Sequence, residues 1–359
     1  MIRFLHAADL HLDSKLNTML GPDQLKTRRA ELTDTLERLA ALAEDLGCRA
    51  LLLCGDIFDT PKVTKTTMKK VRAVIDSHSD LDFLVLYGNH DAGLTISSQD
   101  GYEAPNLKSF SQKAWTTYLY GDVAISGTEN LLKAGTENIP HSEGPHLVML
   151  HGEIRDGVAM SDGVIPLGRF RGRGIDYLAL GHYHSYQEGP VDERAVYVYS
   201  GCPEGRGFDE TGVKGAVLIE IENGHVYHTF QKTSLRVIHD LAVDITGLDS
   251  FESIEAKVNE TVADCAREDI IRVRLTGRLS EDTEFYHEIL ENELTSRFFS
   301  ARIDYALTYG TDEGGTANPS VSLRHEFIET VHKEKDLSDE DKEAIIMYGL
   351  RALDNDIIG

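Results

Sequence analysis

Cysteine is scarce in this chain of 359 residues, which has only four. Cys48, Cys54, Cys202 and Cys265 lie far apart and form no CxxC pair, so neither a disulfide framework nor a zinc knuckle is indicated. The chain also lacks repeats, low-complexity segments and any apolar run long enough to span a membrane. Its amino terminus, MIRFLHAADLH, enters a polar motif too soon for a signal peptide. We therefore expect a cytoplasmic protein with no membrane association.

Basic side chains are also few, at 36 Lys and Arg against 60 Asp and Glu, for a net charge of −24. This balance argues against nucleic acid as a ligand, because duplex binding requires basic residues to neutralise phosphates. The charge is uneven, however, with a net −15 from residue 233 onward and −9 before it. Candidate DNA contacts are the local basic residues Lys62, Lys65, Lys69, Lys70, Arg169, Arg171, Arg173 and Arg206. For each cluster a merely solvated face is the alternative, and it stays open.

Short apolar runs alternate with helical patterns at the start of the chain. IRFLHAA (2–8), LLLC (51–54) and FLVLY (83–87) are predicted strands, with helices predicted over about 23–46 and 62–77 between them. This alternation is typical of βαβ units. From residue 123 closely spaced apolar runs follow, ending in a hairpin with Asn223 and Gly224 as its turn. The order predicts an α/β domain in which two sheets pack face to face, with helices outside.

A second alternation of strands and helices begins after about residue 234. LAVDIT, IIRVRLTG and RIDYALT are predicted strands, separated by helices over about 250–265 and 282–296. Two polar helices are predicted to follow and to end near residue 353. We therefore expect a first domain over residues 1–234 and a smaller α+β domain over 235–359.

Polar donors follow five successive apolar strands of the first domain, and each set stands directly at a strand end. The motifs are DLH with Asp9 and His11, GDIFD with Asp56 and Asp59, GNHD with Asn89, His90 and Asp91, HGE with His151, and GHYH with His182 and His184. In α/β folds ligands bind beyond the carboxyl ends of the strands. One such motif is weak evidence for a site, but five in this order are strong evidence.

The donor types indicate a pair of divalent cations. Two Asp, one Asn and four His exceed a single tetrahedral zinc site, and mixed oxygen and nitrogen donors without thiolates suit Mn, Fe or Zn. The assignment places one metal on Asp9, His11, Asp56 and His184, and the other on Asp56, Asn89, His151 and His182. Because His182 and His184 are one residue apart where the chain turns, they can reach two neighbouring metals.

The charge of such a site points to a phosphoryl substrate. Two divalent cations outweigh the two ligand carboxylates, so the site favours an anionic group and acidifies a bound water, and hydroxide held there would attack phosphorus in line. His90 has no place in the ligand scheme and is predicted to protonate the leaving oxygen or stabilise the transition state. Asp91 is predicted to orient His90, with a simple turn or cap residue as the alternative. Gly55, Gly88 and Gly181 precede donor segments, where close backbone approach or positive φ is useful.

DLH, GDIFD, GNHD, HGE and GHYH together resemble the calcineurin-like metallophosphoesterase superfamily, over roughly residues 1–232. The resemblance implies the same ligand scheme, a four-layer fold of two sheets flanked by helices, and His90 as the catalytic histidine. HAADLHLDS, YLALGHYH and YSGCPEGRGFDETGVKG are similar to its DNA-repair nuclease branch, the SbcD-like exonucleases, and particularly to bacterial YhaO-like members. That branch implies a smaller capping domain, manganese, an SbcC-type or YhaN-like ABC ATPase partner, and a homodimer.

The sequence departs from that branch at two places. Some of its nucleases have a histidine at the position of Asp59, a position implicated in guiding exonucleolytic cleavage, and the second domain is unusually acidic for a DNA clamp. We expect a metal-dependent phosphodiesterase acting on DNA in repair, as an exonuclease or an endonuclease. The alternatives are a phosphodiesterase for small molecules or nucleotides, and a weakly active subunit of an ABC-ATPase complex.

Overall fold

The structure, a computed structural model, describes residues 1–16, 20–91, 93–97, 101–279, 283, 285–309, 323–338, 341–346 and 348–349. The chain divides into two compact units, residues 1–237 and residues 238–359. The boundary expected from the sequence, after residue 234, lies close to this division. Within the described ranges, no helix has both the length and the apolar character needed to cross a bilayer.

The first unit has fourteen strands and four α-helices among its described residues. The strands are β1 (Ile2–Ala7), β2 (Ala50–Cys54), β3 (Asp82–Leu86), β4 (Leu107–Ser109), β5 (Thr116–Tyr120), β6 (Val123–Gly127), β7 (His146–His151), β8 (Glu153–Ile154), β9 (Val164–Ile165), β10 (Tyr177–Gly181), β11 (Gln187–Pro190), β12 (Val196–Tyr199), β13 (Gly215–Glu222) and β14 (His225–Lys232). The helices are α1 (Pro22–Thr33), α2 (Thr35–Asp45), α3 (Lys65–Ser77) and α4 (Leu131–Ala134).

Two six-stranded sheets form the body of this unit. Their strand orders are β14-β13-β1-β2-β3-β4 and β11-β12-β10-β7-β6-β5. Strands β1, β2 and β3 pair in parallel in the first sheet, and β7 and β10 do so in the second. Parallel pairing brings the carboxyl ends of these strands to one edge of each sheet. The loops that carry the predicted ligands therefore begin at those edges.

The core lies between the sheets and behind the first one. Phe4, Leu52 and Leu147 belong to a buried cluster shared by the two sheets, and burial of each such side chain stabilises the fold by about 1.5–3 kcal/mol. The other face of the first sheet packs against apolar residues of α2 and α3, among them Leu39 and Ile75. The predicted arrangement of two facing sheets with helices outside is therefore confirmed.

In the first unit, helix boundaries differ from the sequence expectation at two places. The helix predicted over 23–46 is two helices, with Asp34 between them. The helix predicted from 62 begins at Lys65, because the side chain of Thr64 accepts a hydrogen bond from the amide of Thr67 and caps the helix there. Apolar periodicity does not report caps, which explains the second difference.

The predicted hairpin turn is confirmed. Strands β13 and β14 pair antiparallel from Gly215 opposite Lys232 to Glu222 opposite His225. Asn223 and Gly224 connect them with φ values of 52° and 78°. Two consecutive left-handed residues are what a tight hairpin turn requires, and Asn followed by Gly is the favoured pair for it.

The second unit contains, among its described residues, one three-stranded sheet, three α-helices and a further helical stretch at residues 341–346. Its elements are β15 (Ile238–Asp244), α5 (Phe251–Thr261), β16 (Ile270–Leu279), α6 (His287–Arg297), β17 (Ser300–Tyr309) and α7 (Leu323–Lys333). Both strand pairs are parallel, as helical crossovers between strands allow. Residues 341–346 are helical, and the predicted end of that last helix near residue 353 lies outside the described residues.

Candidate metal centre

The loops that follow the central strands of the two sheets run against one another. The amide of Asp9 donates to the carbonyl of Gly55 over 3.0 Å, and the amide of His11 donates to the carbonyl of Asp56 over 3.0 Å. The second sheet joins them through His151, whose Nδ1 donates to the carbonyl of Cys54 over 2.9 Å. These hydrogen bonds bring the predicted ligands from separate strands into one cluster.

The backbone in this cluster is held in an unusual conformation. Among the described residues, seven that are not glycine have positive φ, and four of these are predicted ligands: Asp9 at 54°, His11 at 44°, Asp56 at 51° and His182 at 114°. Such conformations cost of order 1–3 kcal/mol each and concentrate at functional sites, where the surrounding structure enforces them. The strain therefore marks this cluster independently of residue type.

One group of predicted ligands consists of Asp9, His11 and His184. Each offers a ligand atom within 4.8 Å of the others. The Nε2 atoms of His11 and His184 are 3.2 Å apart, and Nε2 of His11 lies 3.9 Å from Oδ2 of Asp56. All four predicted ligands of one metal are thus brought together. Two imidazole nitrogens and carboxylate oxygens that converge in this way fit a divalent cation.

The second group surrounds His151. Because its Nδ1 donates to a carbonyl, the neutral ring has a lone pair on Nε2. That atom lies 3.0 Å from Oδ1 of Asn89 and 3.3 Å from Oδ2 of Asp56. Three acceptors that face one another fit a cation between them. The ring of His182 lies 5.5 Å from that of His151, and its amide donates to both carboxylate oxygens of Asp9 over 3.0 Å.

The protonation of the cluster shows where positive charge is favoured. Burial raises the pKa of Asp9 to about 6. Burial alone would raise the pKa of Asp56 and lower that of His151, but their hydrogen bond and mutual charge outweigh it. The pKa of Asp56 falls to about 2, and that of His151 rises to about 9. Positive charge is therefore favoured where the predicted ligands of the second metal converge.

The predicted role of Asp91 needs correction. Its fully buried carboxylate accepts hydrogen bonds from the amides of Gly88 at 2.8 Å and Phe58 at 2.9 Å, so it ties the loop after β2 to the loop after β3. His90 is oriented by a different group, the carbonyl of Asp59, to which its Nδ1 donates over 2.9 Å. These contacts agree with the alternative that the sequence left open, in which Asp91 is a turn residue.

Close backbone approach at the predicted glycines is confirmed. A Cβ atom at Gly55 would overlap the ring of His151, and one at Gly88 would overlap the carboxylate of Asp56 and lie 2.6 Å from its amide nitrogen. At Gly181 a Cβ atom would overlap the carbonyl of Cys54. These positions accept only a residue without a side chain.

We expect the Gly88→Ala substitution to displace Asp56 and to lower the free energy of unfolding by about 1–3 kcal/mol, the usual cost of overpacking. Manganese binding should weaken with it, because Asp56 belongs to both predicted sites. Chemical denaturation and metal titration measure the two effects. Gly168→Ala is the matched control, since its new methyl group meets only Oδ1 of Asp156, at 3.5 Å. Equal stability and metal binding in the two variants would contradict the prediction.

Several residues around the cluster were not assigned from the sequence. Glu210, in the loop before β13, accepts a hydrogen bond from Nδ1 of His184 over 2.7 Å, and Nζ of Lys214 donates to the carbonyl of His184 over 2.9 Å. Burial would raise the pKa of Glu210, but His184 and Arg206 outweigh it and hold that pKa far below its usual range. Glu210 lies within the segment YSGCPEGRGFDETGVKG, yet nothing in its spacing indicates a partner for a histidine.

The predicted DNA contacts divide into two kinds. Seven of them have exposed side chains: Lys62, Lys65, Lys69, Lys70, Arg169, Arg171 and Arg173. Their role stays a prediction. Arg206 differs, because only 16% of its side chain is exposed and its guanidinium is bonded to Glu210 and Asp59. The structure thus gives Arg206 an internal role in place of the predicted DNA contact.

Comparisons with known proteins identify similar chains. Residues 2–186 match the family described as Calcineurin-like phosphoesterase. The uncharacterized metallophosphoesterase YhaO of Bacillus subtilis is 28% identical over 287 residues, which are 72% of this chain and 67% of that protein. The DNA double-strand break repair protein Mre11 of Sulfolobus acidocaldarius is 23% identical over 303 residues, 77% of this chain and 75% of that protein. A dimetal phosphatase from Danio rerio is 13% identical, with a TM-score of 0.43, over 65% of this chain and 96% of that chain.

Proposed function

We propose that this chain, which belongs to the calcineurin-like phosphoesterase family, is a two-metal phosphodiesterase that hydrolyses DNA. The family match confirms the predicted resemblance and supports a phosphoester hydrolase with a dinuclear metal centre. The observation that carries the proposal is the convergence of donors from five strand ends on two adjacent positions. Similarity to a DNA double-strand break repair protein supports DNA as the substrate.

The ligand assignment uses the two groups already described. Asp9, His11, Asp56 and His184 would hold one cation, while Asp56, Asn89, His151 and His182 would hold the other. When bound, two such cations supply Lewis acidity and lower the pKa of water. The donors are oxygen and imidazole nitrogen without thiolate, a set that suits manganese, iron or zinc. We propose manganese, the metal that the resemblance to the nuclease branch implies.

His90 is proposed to act on the leaving oxygen. Its Nδ1 proton is held by the carbonyl of Asp59, so Nε2 is the ring atom available for substrate. A protonated Nε2 would donate to the oxygen that departs as the phosphorus–oxygen bond breaks, and the ring would be left neutral. The amide of His90 donates to Oδ1 of Asp56 over 2.9 Å, which fixes this residue beside the proposed ligands.

The lysines of α3 test DNA as the substrate. Lys69 and Lys70 are exposed, and Lys70 has a surface ion pair with Asp34 at 2.9 Å that contributes little. We expect the Lys69→Glu/Lys70→Glu double variant to bind duplex DNA more weakly, with the logarithmic salt slope reduced by about 2, since each lost phosphate contact removes about 1. Turnover of a small phosphodiester should stay unchanged.

A double variant of two exposed lysines outside the clusters, Lys113→Glu/Lys133→Glu, is the control for net charge. If both double variants changed DNA affinity equally, the effect would be general repulsion, and α3 would lose its proposed role. An ABC ATPase of the SbcC or YhaN type as partner, a homodimer and a cytoplasmic location stay predictions from the resemblance.

A further inference from the structure

One arginine lies behind two histidines that are proposed to share a metal. We propose that Arg206 is a positioning residue that connects the outer-shell carboxylates of His11 and His184 and thereby sets the metal affinity of that site. The inference rests on the proposed function through one step, the assignment of these two histidines to the same cation. It does not depend on which phosphodiester is cleaved.

The ring of His184 is fixed through its Nδ1 atom. That atom donates to Oε1 of Glu210 over 2.7 Å, and Glu210 has only 2% of its side chain exposed. Nε2 is then the atom that faces His11, 3.2 Å away. A carboxylate that holds the far nitrogen of a metal-binding histidine fixes its tautomer and raises its basicity as a ligand.

The ring of His11 also has a carboxylate on its far side, at ion-pair distance but without a hydrogen bond among the described residues. Its Nδ1 atom lies 3.4 Å from Oδ1 of Asp59, while its Nε2 atom faces His184. The His11 side chain is 1% exposed, so solvent hardly reaches it. Asp59 therefore lies behind His11 as an ion-pair partner, while Glu210 holds His184 by a hydrogen bond.

Arg206 joins these two carboxylates. Its Nη1 donates to Oδ1 of Asp59 over 3.0 Å, while Nε and Nη2 both donate to Glu210. The amide of Arg206 also donates to Oε2 of Glu210, over 2.7 Å. A planar guanidinium with several donors in fixed directions can serve two carboxylates at once, which a single ammonium group does poorly. Without this cation, two carboxylates would face each other at a largely buried position.

The loop that carries Arg206 is held from its other side. Arg28 of α1, which is 1% exposed, donates to the carbonyl of Gly205 over 2.6 Å and to Glu204 over 3.2 Å. Arg38 of α2 donates to the second oxygen of Glu204 over 3.1 Å. The position of Arg206 is therefore set by the fold, so it can orient the rings instead of following them.

The second proposed metal site has a different support. The outer nitrogen of His151 donates to a backbone carbonyl, that of Cys54. Among the described residues, no arginine contacts the ring of His151. Loss of Arg206 should therefore weaken one metal site selectively, the one that uses His11 and His184.

Calorimetric titration of the metal-free full chain with Mn²⁺ tests this. We expect wild type to bind two ions and Arg206→Gln to bind one as before and the other about 10- to 100-fold more weakly, the usual effect of losing an outer-shell partner. Arg206→Lys should also weaken that site. The lysine ammonium keeps the positive charge, but it lacks the planar guanidinium that bonds both carboxylates. Arg194→Gln is the control, since Arg194 forms a similar two-bonded pair with Asp176 at the opposite end of β10.

Each outcome decides a separate point. Two unchanged Mn²⁺ sites in Arg206→Gln would overturn the positioning role. Fewer than two sites in wild type would overturn the ligand assignment, and the inference with it. If thermal melting showed that Arg206→Gln does not fold, Glu210→Gln would decide: weakening of one site about tenfold supports the inference, and two unchanged sites overturn it.

Discussion

We expect the Asp56→Asn substitution to lower phosphodiester hydrolysis on the order of 1,000-fold, because both proposed metals lose a charged ligand at once. Oδ2 of Asp56 lies 3.3 Å from Nε2 of His151 and 3.9 Å from Nε2 of His11. Its other oxygen accepts the amide of His90, so the amide side chain of asparagine would also disturb that loop. Steady-state kcat/KM on a small phosphodiester with added Mn²⁺ measures the loss.

Asp34→Asn is the control for this substitution, since Asp34 is exposed and its ion pair is with Lys70 at the surface. Its activity should match wild type. Metal content after gel filtration should fall in Asp56→Asn and stay constant in the control. Full metal content with activity within tenfold of wild type in Asp56→Asn would contradict the shared role.

The His90→Ala substitution should lower kcat by about 100- to 10,000-fold, the range for loss of a general acid. Unlike Asp56, His90 is proposed to act on substrate and not on metal, so the variant should still bind two Mn²⁺ ions. Combined measurement of kcat and metal stoichiometry therefore separates the two roles.

His141→Ala is the matched control, because 77% of the His141 side chain is exposed and its contact is with Glu143. The proposed role of His90 would be wrong if its alanine variant lost metal in parallel with activity. It would also be wrong if kcat were unchanged on a substrate with a poor leaving group.

The location of the site was predictable because of how its strands are arranged. Apolar runs that end in Asp9, Asp56, Asn89 and His151 are readable in the sequence, and parallel pairing brings such ends to one edge. His6, inside β1, is a core residue: it is fully buried and hydrogen-bonded to the hydroxyl of Tyr177 and to the carbonyl of Leu180. Local patterns were sufficient here since each residue sits directly at, or within, its strand.

The supporting contacts were not predictable, because they join segments far apart in the chain. Glu210 and His184 are 26 residues apart, and Arg206 and Asp59 are 147 apart. No periodicity relates such pairs, so Arg206 was read as a surface cation. The predicted role of Asp91 was wrong for the same reason. One of the amides that donate to its carboxylate, that of Phe58, belongs to another loop.

The most direct test of a two-metal DNA phosphodiesterase is hydrolysis, with Mn²⁺ added, of a linear duplex, a circular single strand and a small phosphodiester. Wild type and His90→Ala are assayed side by side. The account predicts cleavage of DNA by wild type and its loss in the variant, and cleavage of the circle would distinguish an endonuclease from an exonuclease. Turnover of the small phosphodiester alone, with both DNA substrates intact, would contradict the proposed function.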